Sequence, residues 1–78
     1  MREKRLWLII TFHTTTAAMA MEAMCAANKL TGRLIPVPRE ITAGCGMSWR
    51  APVECRSELL AAADAAGIAI DGVYELML

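Results

Sequence analysis

Apolar residues run without interruption through Leu6-Trp-Leu-Ile-Ile, and only Thr11 precedes Phe12. A β-rich stretch of this length predicts a strand buried on both faces. His13–Thr16 is polar, and one of its threonines is placed to cap a helix by accepting backbone N–H bonds. From Ala17 to about Leu30 the spacing turns helical: Met21, Met24 and Cys25 share a face with Ala17 and Ala18, and the pattern stops near Gly32. Arg33–Val37 reads as a second strand, halted by Pro36 and Pro38, which cannot donate to a ladder.

From Ile41 to Arg50 the period is two. Ile41, Ala43, Cys45, Met47 and Trp49 fall on one side, and Thr42, Gly44, Gly46 and Ser48 on the other. That predicts a third strand, with a bulge or turn at the glycines around Cys45. Pro52 suits the first turn of a helix from Val53 to about Ala66, with Leu59, Leu60 and Ala63 facing inward and Gly67 ending it. Ile68–Ile70 and Val73–Met77, parted by Asp71-Gly72, supply the last strand. The order β-α-β-β-α-β predicts an α+β, ferredoxin-like two-layer sandwich: a four-stranded antiparallel sheet with two helices on one face.

Composition narrows the picture further. Seventy-eight residues fit one domain, 1–78. A hydrophobic fraction of 56% and a mean hydropathy of +0.41 are high for this length. Formation of a homo-oligomer is expected, because it would cover apolar surface that a small core cannot. Eight basic residues balance eight acidic ones, and beyond Arg2, Lys4 and Arg5 the basic ones are scattered. Duplex binding needs a concentrated basic face, and the few aromatic residues make a poor base-stacking platform, so nucleic acid is not an expected partner.

The odd set Cys25, Cys45 and Cys55 contains no close pair and no Cys-x-x-Cys, which fits a reducing, cytoplasmic compartment better than a disulfide framework. His13 is the lone histidine, remote in sequence from any ligand cluster, so no metal site is expected. The charged start and following apolar run have the outline of a secretory signal, but Glu3 and the polar His13–Thr16 run argue against that reading. No apolar run reaches the roughly 18 residues of a membrane span, and no membrane partner is expected.

Chemistry concentrates in Ile35–Arg50. Pro36 and Pro38 stiffen the approach, while Gly44 and Gly46 open backbone angles closed to other residues. Arg39 and Arg50, if they stand near Cys45, would favour its thiolate, the form that attacks sulfur and takes up a persulfide. The parity of Cys45 is also that of the apolar side, and free cysteines are often core residues. On these residues alone, both readings of Cys45 stand. Cys25 and Cys55 fall within helices and read as structural. His13, at a strand-to-helix junction, could serve as an acid or base, or simply as a surface or capping residue.

The segment Leu34–Arg50, with the apolar strand ending in Phe12 and the Gly72–Leu76 strand, resembles the small Se/S carrier protein-like family. Members show Pro-Arg-Glu, small residues, a Cys-Gly pair and a basic residue soon after. Here these are Pro38, Arg39, Glu40, Cys45, Gly46 and Arg50. The resemblance implies a carrier that holds sulfur or selenium on Cys45 as a persulfide or selenosulfide, between donor and acceptor proteins. Arg39 and Arg50 would be its electrostatic support. It implies no cofactor and no turnover, so not an enzyme. The related Cys-Pro-x-Pro mechanism does not transfer, because no cysteine precedes Pro36-Val-Pro38. The fold class also allows a non-catalytic interaction or small-ligand-sensing module in which Cys45 only packs.

Overall fold

Leu6–Thr11 (β1) occupies the centre of a four-stranded sheet, paired with Met47–Pro52 (β3) on one side and Gly72–Met77 (β4) on the other. Arg33–Pro36 (β2) pairs with β3 at the outer edge, which gives the order β2-β3-β1-β4 with every pairing antiparallel. Thr15–Ala27 (α1) and Arg56–Ala65 (α2) are the two crossover helices. This computed structural model describes residues 4–41 and 45–78. Element order and strand order together are those of the ferredoxin-like fold.

Local chemistry sets the helix limits. Thr14 has extended backbone angles, and its Oγ1 accepts from the Ala17 N–H at 3.1 Å. That cap starts α1 two residues before the apolar spacing predicts, and is worth about 1 kcal/mol. At the far end Leu30 N–H donates to the Cys25 carbonyl, and Lys29 takes a positive φ of 56°. Pro52 does not open a helix. It ends β3 opposite Trp7, and a 3₁₀ turn, Val53–Cys55, leads into the shorter α2. Gly67, at φ +71°, closes α2, with Ile68 N–H bonded back to the Ala63 carbonyl. Ile68–Ile70 then runs outside the sheet, so the last strand is Gly72–Met77 alone.

The core lies between the helices and one sheet face. Leu8, Ile10 and Phe12 from β1 and its end, Trp49 and Ala51 from β3, Ala18, Met21 and Cys25 from α1, and Leu59 and Ala63 from α2 form one buried cluster. The strand members share one parity, so both helices cover the same face. The other face carries Trp7, Ile9, Thr11, Ser48, Arg50, Arg33 and Tyr74 by the same register. Ile9 is nonetheless fully buried there, beneath its cross-strand neighbours, as expected of the central strand. Thr11 and Ser48, also buried, direct their hydroxyls to the carbonyls of Gly72 and Ile35 at 3.4 Å.

Candidate functional site

The β2–β3 connection is a hairpin loop whose two limbs are tied by Val37 N–H to the Gly46 carbonyl at 3.0 Å. Its tip begins with a turn in which Ile41 N–H donates to the Pro38 carbonyl at 2.9 Å, leaving Arg39 and Glu40 exposed at the corners. Ile41 itself is buried and anchors the loop. Gly46 takes φ +84°, a conformation that favours glycine, and returns the chain to β3. Of the strand expected over Ile41–Arg50, Met47–Arg50 lies in β3, while Cys45 and Gly46 belong to the turn before it. Thr42, Ala43 and Gly44 lie outside the described residues.

Cys45 occupies the returning limb. Its N–H donates to the Phe12 carbonyl at 3.2 Å, and its thiol donates to the Met47 carbonyl at 3.6 Å. The side chain is half-buried against the edge of the core. The limb is thus pinned to the end of β1, one residue before His13 and two before the Thr14 cap. Loops held on a rigid scaffold are common places for a group that must meet a partner.

The expected supporting residues separate into two groups. Pro38, Arg39, Glu40 and Gly46 belong to the same loop as Cys45. Arg50 does not join them: its guanidinium lies over the Trp7 ring, 4.3 Å from the centroid. Trp7 is five residues from Phe12 along an extended chain, roughly 17 Å. The Arg50 guanidinium is therefore stationed towards the other end of the sheet.

The sequence reading missed Asp71. His13 Nε2 stands 3.3 Å from Asp71 Oδ1, while Asp71 N–H donates to the Thr11 carbonyl at 2.8 Å. Thr11 Oγ1 also reaches Asp71 Oδ2 at 3.5 Å. An imidazole oriented by a carboxylate therefore sits at the same end of β1 as Cys45, with its side chain 65% exposed. Fifty-eight positions separate the two residues, and only the β1–β4 register joins them.

The three thiols differ in access. Cys25 is 1% exposed within α1, and burial pushes its pKa above the ordinary value. Folding thus holds a proton that the unfolded chain releases in alkali. Its stabilising effect is intact below the unfolded pKa and disappears as pH rises through the folded one. Cys55 is half-buried in the 3₁₀ turn, against the core. On brief treatment of native protein with iodoacetamide, peptide mapping should find Cys45 alkylated and Cys25 untouched until denaturant is added. Equal labelling of the two would overturn this arrangement. The advantage in unfolding midpoint of wild type over Cys25→Ala should also narrow as pH rises above the ordinary thiol range.

Among the described residues no group of acidic, histidine and cysteine side chains is arranged to hold a metal ion, and no helix is long and apolar enough to cross a membrane. No curated protein and no solved structure matches the chain. A family model does, over residues 8–75, from β1 through β4 and including the whole Cys45 loop. On that match the chain belongs to the family described as "Putative Se/S carrier protein-like".

Proposed function

We propose that this protein holds sulfane sulfur, or its selenium counterpart, on Cys45 and passes it from a donor protein to an acceptor. The observation that supports this is the setting of Cys45: a half-buried free thiol on a pinned loop, whereas Cys25 is sealed within a helix. The step is an exchange. The Cys45 thiolate attacks the terminal sulfur of a donor persulfide, an S–S bond forms to Cys45, and the donor's S–S bond breaks. The donor leaves as a thiolate. Delivery is the same step with Cys45 as the leaving thiolate, so loading and unloading need no outside oxidant. A perselenide donor gives a selenosulfide by the same balance.

In this reading Gly46 and the turn Pro38–Ile41 set the path of the loop. Arg39, exposed at its tip, offers charge to an approaching donor or acceptor. His13, oriented by Asp71, supplies a proton-exchanging group at that end of the sheet.

The test is intact mass with peptide mapping under non-reducing conditions, after incubation with a cysteine desulfurase and cysteine or selenocysteine. Wild type should gain one sulfur or selenium atom, removable by reductant and mapped to Cys45, and Cys45→Ser should gain none. No adduct on wild type, or equal adducts at Cys25 and Cys55, would instead make Cys45 a packing residue. The chain would then read as an interaction or ligand-sensing module.

A further inference from the structure

Away from the Cys45 loop, the open sheet face holds a groove of about 240 Å³, lined by Trp7, Thr31, Gly32, Arg33, Arg50 and Pro52. Its charge is lopsided. Arg50 lies 4.3 Å from the Trp7 ring centroid, and Arg5 lies over the same ring at 4.6 Å. Arg33 stands directly opposite Arg50 across the β2–β3 ladder. Like charges placed opposite each other repel, and a sheet normally avoids that pairing.

No ion pair among the described residues answers these charges. Among the described residues the ion pairs are His13 with Asp71 and Arg56 with Glu75, and neither involves Arg5, Arg33 or Arg50. Glu22, Glu58 and Asp64 are carried by the helices and Glu40 by the hairpin tip, while Glu54, in the 3₁₀ turn that follows Pro52, forms no ion pair among the described residues. Arg50 adds an independent sign: its Nε is buried with no hydrogen-bond partner. Buried donors are ordinarily satisfied, and a guanidinium is built to bind oxyanions in pairs of N–H bonds.

We propose that this groove binds a phosphate group, as a free ion or as the ester of a small molecule. A dianion between Arg33 and Arg50 turns their repulsion into attraction to a common centre, which a single carboxylate does only in part. The volume is small beside ordinary ligand pockets, so it admits the phosphate and a short body resting on Trp7 and Pro52. The site is independent of the carrier reading, since Cys45 takes no part in it.

The experiment is an NMR titration of the full chain, following the Trp7 indole N–H and the Arg50 Nε–H. Inorganic phosphate and phenyl phosphate are added at constant ionic strength, with succinate and sodium chloride in parallel. Saturable shifts of both signals are expected with the phosphates, and Arg33→Gln should weaken binding about tenfold without altering the fold. Binding of phenyl phosphate should also weaken as pH falls through roughly 6, where the second proton of a phosphate ester returns. Tighter binding of phenyl phosphate assigns the site to an ester, and equal binding assigns it to the free ion. Shifts that never saturate, that chloride reproduces, that succinate exceeds, or that persist unchanged in Arg33→Gln would overturn the proposal. Cys45→Ser should bind as wild type does, so a failure of sulfur loading leaves this result standing.

Discussion

Gly32→Ala is expected to cost about 3–5 kcal/mol, a large share of the stability of so small a domain. Two effects add. The residue takes φ +135°, a region in which a side chain is strained wherever it points. A Cβ there would also overlap the indole nitrogen of Trp49, with Cε2 at 2.6 Å and the Arg50 carbonyl oxygen at 2.7 Å. Trp49 cannot retreat easily, because it is 3% exposed within the core and its Nε1–H donates to the Thr31 carbonyl at 3.4 Å. A chain of this length has a total stability on the order of 4–12 kcal/mol.

Gly67→Ala is the internal comparison. Gly67 also has a positive φ, +71°, but a Cβ there meets nothing within 4 Å, so only the backbone term of about 1–2 kcal/mol remains. Urea unfolding of the two variants separates steric from conformational cost. A Gly32→Ala loss no larger than that of Gly67→Ala would mean that the Trp49 ring does not lie against this turn.

Much of the fold is legible in the sequence because local signals agree with the tertiary result. The apolar density of β1 matches a central strand whose two faces are both sealed, down to Ile9 on the helix-free side. Of the predicted helical faces, Ala18, Met21, Cys25, Leu59 and Ala63 are buried, while Ala17, Met24 and Leu60 are partly buried against the core. The misreadings share one cause: a periodic pattern does not say where hydrogen bonding stops. Alternation from Ile41 to Trp49 is real in the sequence, but Ile41, Cys45 and Gly46 stand outside the ladder, and pairing begins only at Met47. Pro52 is equally at home in a first helical turn and at a strand end, and its pairing opposite Trp7 decides the matter.

The candidate site was legible where it is local and illegible where it is not. Cys45 and the Pro38-Arg39-Glu40 turn are neighbours in sequence and remain so in the fold. Asp71 reaches His13 only through the β1–β4 register. The basic residues look scattered along the chain, yet strand pairing sets Arg33 beside Arg50, and stacking brings Arg5 and Arg50 to one indole. Charge counts along a sequence cannot see such a gathering, because it is set by cross-strand register.

Phe12→Ala is expected to lose about 3–5 kcal/mol and, from its position, to loosen the Cys45 limb as well. The ring is fully buried in the core cluster beside the end of β1, and its removal leaves a cavity that the two helices can only partly close. For a domain of this size that loss lowers the thermal midpoint by about 15–30 °C. The backbone carbonyl of the same residue accepts from Cys45 N–H, so a shift of the backbone at Phe12 when its ring is lost is passed to the limb. Alkylation of Cys45 should therefore quicken in Phe12→Ala, while Phe12→Leu, which keeps most of the volume, should stay near wild type in both stability and thiol access. Calorimetry and timed iodoacetamide labelling read the two effects separately. A large stability loss with unchanged Cys45 labelling in the residual folded protein would show that the hairpin holds its own shape without Phe12. Faster labelling in Phe12→Leu at full stability would show the opposite dependence, with limb position set by the ring itself rather than by core volume.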